Sequence, residues 1–556
     1  MLYIISACFF WFFFCFNIGY FFLSGTLKKS HKQVDFFYNF WFGLFCLISI
    51  LQILSLFHPI NGKVLVFLGF INLCFLFFNL KSSKLGLKKW LVYIFRIFDY
   101  RKLILFLIIA LIISYVSNLP VTWYDTHLYH LNAVRWLSDY GSVKGLANVH
   151  NRLGINNVTF ILAALMDNGI FNSSSSHILN SSLFFIFLSQ LIFFLFKRSK
   201  ENVINLFAFF SILIMSMYMG QINSLSTDLS LSIFVLLSVF YTLKLEKEDL
   251  MLALPLYVLA ATSKYSFFPA LLLLFLFVLL QLKFKVLSRK NLYILLSVFI
   301  FFLGFVLRNI VLSGWPFFPL PILGINFKWR VPVEQLIVFN DTVKAWARLP
   351  GPLYRNSLGV SFWDWFINWF NNNRESVLMY YFFVLVSLTL AYLFYRKENK
   401  RRTDLETKTD FLVLADLVVV LYVFVSAPDF RFMGVFLFVT ISLILSYLLS
   451  RFLLSSLFKD LTIVVFLFLV SFYFLKSFRM QTKPELFIIE KEGSGLVRPI
   501  TISYSDQEFY VWEPINSDLC GNSQLPCTPY PSGFKMFNVQ SLRSGFYSTK
   551  EEKDER

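Results

Sequence analysis

An all-α polytopic membrane protein with about 14 transmembrane helices is what this sequence predicts. Composition says so first. Of 556 residues, 57% are hydrophobic, 20% aromatic and only 15% charged, with mean hydropathy +0.66. An ordinary soluble domain carries about 25% charged residues. Seventy-two phenylalanines exceed what a soluble core of this length would bury, which excludes a soluble globular protein, a disordered chain and a coiled coil. The apolar runs say so next, because they recur at the length of about 20 residues that a helix needs to cross hydrocarbon. The placement of Lys and Arg then agrees with the alternation those runs impose.

Taken in order, the expected spans are 2–24, 35–57, 63–80, 103–118, 178–196, 203–220, 225–243, 250–263, 265–281, 291–312, 376–395, 410–426, 430–449 and 461–478. The first lacks a basic n-region and is followed by Lys28, Lys29 and Lys32, so it reads as an N-out helix rather than a cleaved signal peptide. Seven short loops on one side carry 27 Lys and Arg; the opposite side carries 12 in far longer sequence. The positive-inside rule places the first set in the cytoplasm. The net charge of +18 then belongs beside anionic lipid rather than nucleic acid, and no nucleic-acid role is expected. The expected organisation is N-terminal helices and a basic linker over 1–100, a core over 101–478 with large outer loops 119–177 and 313–375, and a small extracytoplasmic tail over 479–556. Ile500–Tyr504 and Glu508–Trp512 alternate as short strands do.

Cys8, Cys15, Cys46 and Cys74 lie in apolar segments and read as small packing residues. Cys520 and Cys527 lie in the polar tail, where an oxidising compartment would keep them as a disulfide. No Walker A loop, GxGxxG, HExxH or GxSxG motif occurs. Chemistry is therefore expected at the outer membrane–water boundary.

The segment Asn118–Tyr140 is the richest in functional groups. Leu128, Leu131, Val134 and Leu137 recur at helical spacing, which predicts an amphipathic helix lying in the interface. Asp125 stands near its start, either as a helix cap or as a carboxylate aimed into a cavity above the membrane. Two histidines, two tyrosines and an arginine within ten residues favour the second reading. Asp125, His127 and His130 form D-x-H-x-x-H, which invites a divalent metal, but Asp125 and His127 point apart on a helix. No metal or other cofactor is assigned; Tyr124, His127, Tyr129, His130 and Arg135 are read as lining a sugar or phosphate pocket. His150 and Arg152 follow in a polar loop that reads equally as an ordinary solvated segment. Lys264, Arg308, Asp429 and Arg431 sit at span ends beside Pro or Ser breaks. Any one cation there is explained by snorkelling; together they suggest an anion pocket for phosphate or pyrophosphate. Trp123, Tyr124, Trp315 and Trp329 suit sugar faces or an aromatic belt equally.

Tyr124–His130, Gly145–Arg152, Arg308–Pro319, Pro428–Phe432 and Leu525–Tyr530 together resemble the signature of a family of bacterial multi-pass inner-membrane proteins without an assigned activity, over about residues 100 to 545. That layout in turn is similar to the GT-C glycosyltransferases, which use polyprenyl-phosphate-linked sugars. The resemblance implies a catalytic base in the first large outer loop, a part that falls to Asp125, and a bacterial cytoplasmic membrane with an extracytoplasmic active face. This loop has one Asp where the common pattern has Asp-Glu or Asp-x-Asp, and three spans precede the usual start. The expected function is transfer of a sugar to a glycan, lipid or protein acceptor of the cell envelope, as in polysaccharide biosynthesis. Lys264, Arg308 and Arg431 would stabilise the departing phosphate. The alternatives are a polymerase or ligase acting on pyrophosphate-linked glycans, a lipid-glycan transporter or flippase, and a structural scaffold. The few midspan charges, chiefly Asp228, Arg308 and Asp416, weigh against transport.

Overall fold

The computed structural model describes residues 1–26, 36–82, 100–197, 201–282, 287–351, 353–373, 377–398, 403–450, 496–504 and 506–549. Among them the chain is mostly helical: α1 (Leu2–Thr26), α2 (Phe36–Phe57), α3 (Gly62–Ser82), α4 (Tyr100–Ser117), α5 (Leu131–Asp139), α6 (Val158–Met166), α7 (Ser175–Lys197), α8 (Asn202–Ser216), α9 (Thr227–Lys244), α10 (Leu254–Ser263), α11 (Phe268–Leu282), α12 (Arg289–Ser313), α13 (Val333–Arg348), α14 (Phe362–Asn373), α15 (Val377–Glu398), α16 (Asp404–Ser426) and α17 (Phe430–Leu449). Nine helices among the described residues are long and apolar enough to cross a membrane. Shorter apolar helices occupy 103–117, 202–216, 249–263 and 383–393. The expected span 461–478 lies outside the described residues.

Burial sorts these helices. α7 and α9 are enclosed on nearly every side, whereas α3, α11 and α12 leave Phe67, Phe70, Leu276, Leu280, Leu296 and Phe299 exposed. Lipid tails are as apolar as leucine, so close packing rather than water exclusion must hold helices together inside a bilayer. The α1–α2 crossing shows how. Gly19 lies against the Asn39 backbone and Gly43 against that of Cys15, so close that a Cβ at either position would overlap it. Phe12 then stacks on Phe40 with ring centroids 5.7 Å apart. α2 also packs along α12 and α1 along α7, so the N-terminal helices join the same body as the rest.

The loops and the tail gather at one end of this bundle. The sequence there predicts an amphipathic helix lying in the interface; the structure places a five-residue π-helical turn, Thr126–His130, running into α5. Its stripe of Leu128, Leu131, Val134 and Leu137 is buried against protein, not lipid. The partner is α6, a wholly buried apolar helix of nine residues. Such a run is too short to span and carries no membrane signal of its own, so it hides inside the expected loop 119–177.

The tail forms two small antiparallel sheets. β1 (Val497–Ser503) pairs with β2 (Glu508–Pro514), Ile500 opposite Val511, and β3 (Phe534–Met536) pairs with β4 (Phe546–Ser548). Cys520 and Cys527 are joined in a disulfide. The loop they close and the residue that follows it dock on the first large loop: Gly521 N–H donates to the His127 carbonyl at 2.7 Å, and Thr528 Oγ1 to the Val149 carbonyl at 2.9 Å. A tail of this size is small for a core of its own; its described residues are pinned to the helical body instead.

Candidate functional site

The site begins where apolar helices end, two of them at side-chain caps. Ser226 accepts from Asp228 N–H and starts α9 with Asp228 in its first turn. Lys264 takes an extended conformation between α10 and α11, breaking one apolar run in two. Pro428 and Asp429 interrupt the run between α16 and α17, and Asp429 Oδ1 accepts from Arg431 N–H at 2.7 Å, capping α17. Each break points a charge out of an apolar helix at the loop-bearing face. Asp125 arrives from the first large loop.

These ends meet in an alternating quartet. Arg431 donates to the Asp125 carboxylate and approaches Asp228 at 3.7 Å. Lys264 Nζ bonds Asp228 Oδ1 at 2.8 Å and the Arg431 carbonyl at 3.3 Å. Aromatic rings flank both cations: Phe432 lies 4.3 Å from Lys264 Nζ and Trp123 5.6 Å from the Arg431 guanidinium. Two carboxylates and two cations balance, which is what makes so many charges tolerable at an apolar boundary. The Arg431 side chain is 51% exposed and that of Asp125 17%, whereas Asp228 is buried, so the quartet opens to solvent on the Arg431 side.

Asp125 does not cap its helix. Its own backbone is already helical and its side chain makes no cap hydrogen bond; the carboxylate is spent on Arg431. Burial alone would raise its pKa, but the Arg431 guanidinium, with Arg152 farther off, outweighs burial and holds it below the usual carboxylate range. Burial pushes His130 down to about 4, so its ring is neutral at physiological pH and packs on Phe160 with centroids 5.0 Å apart. Burial likewise holds the Tyr129 hydroxyl protonated, and Arg152 lies over the Tyr129 ring at 5.7 Å. Tyr124 donates to Asp518 of the tail; partial burial and that carboxylate push its hydroxyl up to about 12.

Of the residues singled out in the sequence, the structure brings together Asp125, Lys264 and Arg431, with Tyr129, His130 and Arg152 alongside. The others have different employment. Arg135 donates to the Asn522 and Ser523 carbonyls and pairs with Asp139, clamping the disulfide loop. The His127 ring meets the Val121 carbonyl at 3.3 Å. His150 is buried against Tyr530 of the tail, and burial drives it down to about 3. Asp429 is committed to its cap. No hydrogen bond or ion pair links Arg308 to the quartet; its guanidinium reaches Ser142, beyond the far end of α5, on the order of 20 Å along that segment from Asp125. The idea that the three cations form one pocket is corrected accordingly. Among the described residues no three His, Cys, Asp or Glu side chains gather as a metal site requires.

Asp228 is the member that sequence reasoning missed, having been counted as a midspan charge. The signal was present in Ser226-Thr227-Asp228, a helix start placed where a turn between two apolar runs ends. No curated protein and no solved structure matches the chain. Residues 1–438 match the model of the family described as a domain of unknown function, DUF8201, and the chain belongs to that family.

Proposed function

We propose that this protein is a membrane glycosyltransferase of GT-C-like architecture with about 14 spans, acting at the outer face of a bacterial cytoplasmic membrane. It transfers a sugar from a polyprenyl-phosphate donor to a cell-envelope glycan, lipid or protein acceptor. The observation that carries the reading is the quartet itself: two carboxylates and two cations converging at the membrane boundary, open on one side, with neutral polar rings beside them. The loop-bearing face is the outer face by the distribution of Lys and Arg.

In this reading Asp125 accepts the proton of the acceptor hydroxyl as its oxygen bonds the anomeric carbon. The bond from that carbon to the phosphate oxygen breaks, and its electron pair leaves with the polyprenyl phosphate. Arg431 and Lys264 stabilise the charge that develops there. Because Arg431 also holds Asp125, an arriving phosphate competes for the guanidinium. Donor binding thereby loosens the pair and raises the basicity of Asp125 when the base is needed. Attack opposite a departing phosphate gives inversion at the anomeric carbon.

The test uses purified protein in lipid–detergent micelles with radiolabelled polyprenyl-phosphate sugars. Release of polyprenyl phosphate that is lost in Asp125→Asn is expected. Wild-type release by that variant would remove Asp125 from the chemistry. No release from any monophosphate donor would overturn the proposal and favour pyrophosphate-linked glycans or lipid-glycan transport.

A further inference from the structure

Arg308 poses a problem that the quartet does not solve. It lies on α12, five residues before the end of that helix, with 2% of its surface exposed. Nε donates to Ser142 Oγ at 3.2 Å, Nη1 has no partner, and no carboxylate of the described residues pairs with it. A guanidinium cannot shed its charge as a lysine can, so burial without a counter-charge is costly.

Its neighbour repeats the pattern. Gln52 of α2 is fully buried, and neither its amide oxygen nor its amide nitrogen is partnered. Gly304, one turn before Arg308 on the same face of α12, puts the two helices in contact there: a Cβ at Gly304 would stand 3.2 Å from Gln52 Cβ. The amide therefore lies along the Arg308 face. The carbonyl end of α2 would be the simplest internal counter-charge, but it is already occupied. Ser142 N–H donates to the Ser55 carbonyl at 2.7 Å, and Arg543 of the tail donates to the Phe57 carbonyl.

We infer that Arg308, Gln52 and Ser142 form a phosphate-group site, separate from the Asp125 quartet and independent of its chemistry. The guanidinium offers its free edge to phosphate oxygens, with the Gln52 amide as a neutral donor beside it; Ser142 Oγ, which accepts from Nε and lies 3.0 Å from Ser55 Oγ, holds the guanidinium in place. Access is from the side. Ile53 of α2 and Leu307 of α12 flank the pair and are each 39% exposed on the apolar surface. Arg308 lies about 8 Å below the end of α12, near the depth at which lipid headgroups meet hydrocarbon. A phosphate carried on a lipid reaches it between these two side chains; a free phosphate offers the same chemistry from water.

The experiment compares the full chain, purified in detergent, against four probes: phosphatidic acid, undecaprenyl phosphate, inorganic phosphate, and diacylglycerol as the phosphate-free control. Native mass spectrometry reads the retained molecule and thermal unfolding reads stabilisation. A phosphate-bearing probe is expected to raise the unfolding midpoint where diacylglycerol does not. Arg308→Gln should weaken retention about tenfold or more, the scale of a lost charge-assisted hydrogen bond. Retention of one of the lipids identifies a lipid phosphate; an equal effect of inorganic phosphate with no retained lipid identifies the free ion, and either supports the site. Equal stabilisation by diacylglycerol, or undiminished retention by Arg308→Gln, overturns it. Should Arg308→Gln fail to fold, Gln52→Leu leaves the cation in place and must still weaken retention; if it does not, the inference falls.

Discussion

The quartet makes a quantitative demand on a double-mutant cycle between Asp125 and Arg431. Two unit charges about 4 Å apart interact by roughly 4 kcal/mol at the effective dielectric of a protein boundary. The Arg431 side chain is half exposed, so water screens much of that, and a coupling of about 1–2 kcal/mol remains. This lies between the small value of exposed pairs and the larger cost of breaking buried ones. The single variants should be unequal. Asp125→Asn leaves Arg431 still facing Asp228, whereas Arg431→Gln leaves two carboxylates facing Lys264 alone. Arg431→Gln should therefore cost more stability.

The pH dependence follows from the direction of the shift. Asp125 is held below its ordinary value of 3.8 in the folded protein, so the pair contributes stability above that pH and loses it as pH falls through the lowered folded value. In Arg431→Gln, burial prevails, the folded pKa rises above the ordinary value, and the carboxyl instead gains stability on acidification. Equilibrium unfolding in mixed detergent and dodecyl sulfate micelles, at several pH values, measures all four corners. A coupling below about 0.3 kcal/mol at neutral pH, or Asp125→Asn proving the costlier single change, would refute the arrangement.

Three further outcomes are expected. Acidification from pH 6.5 to 4.5 should destabilise the protein, because His130 and His150 are held neutral by burial, with folded values of about 4 and about 3. Each of these two histidines costs about 1.4 kcal/mol per pH unit over that window, because the unfolded ring takes up a proton that the folded one does not; His150→Gln should flatten the unfolding midpoint against pH, and an unchanged slope would count against a buried neutral ring. Trp369 Nε1 donates to the Pro428 carbonyl at 2.7 Å, tying α14 to the turn that carries Arg431. Trp369→Phe should cost about 1 kcal/mol, with a smaller Asp125–Arg431 coupling as the specific readout. Gly145, at φ +64, has no room for a Cβ beside the Phe546 carbonyl and Trp329, so Gly145→Ala should undock the tail and speed proteolysis within 496–549 while leaving the membrane helices folded. Unchanged protease resistance would show that the tail is held elsewhere.

Much of this molecule was legible because a bilayer imposes a one-dimensional rule. A helix in lipid must satisfy its own backbone and present about twenty apolar side chains, and both demands are written in consecutive residues. The long helices from α1 to α17 therefore stand within a few residues of where hydropathy puts them. β1 and β2 declared themselves by alternation at Ile500–Tyr504 and Glu508–Trp512. Asp125, Lys264 and Arg431 were legible for a related reason: a charge at an apolar boundary is expensive enough to need a use.

What the sequence by itself determined is thus the class of protein, the course of its helices and which charges stand at their ends. Only the tertiary structure decided which of those charges meet. Asp125 and Arg431 are 306 residues apart, yet they pair, Asp228 joins them from a third segment, and Arg308 does not. Nor could spacing reveal that the tail lies over the first large loop and takes Arg135 and His150 into its own docking. The physical reason is that hydropathy acts along the chain, through backbone hydrogen bonds and the thickness of a membrane. Charge pairing acts across space, and its partners are fixed by how helices pack around α7 and α9.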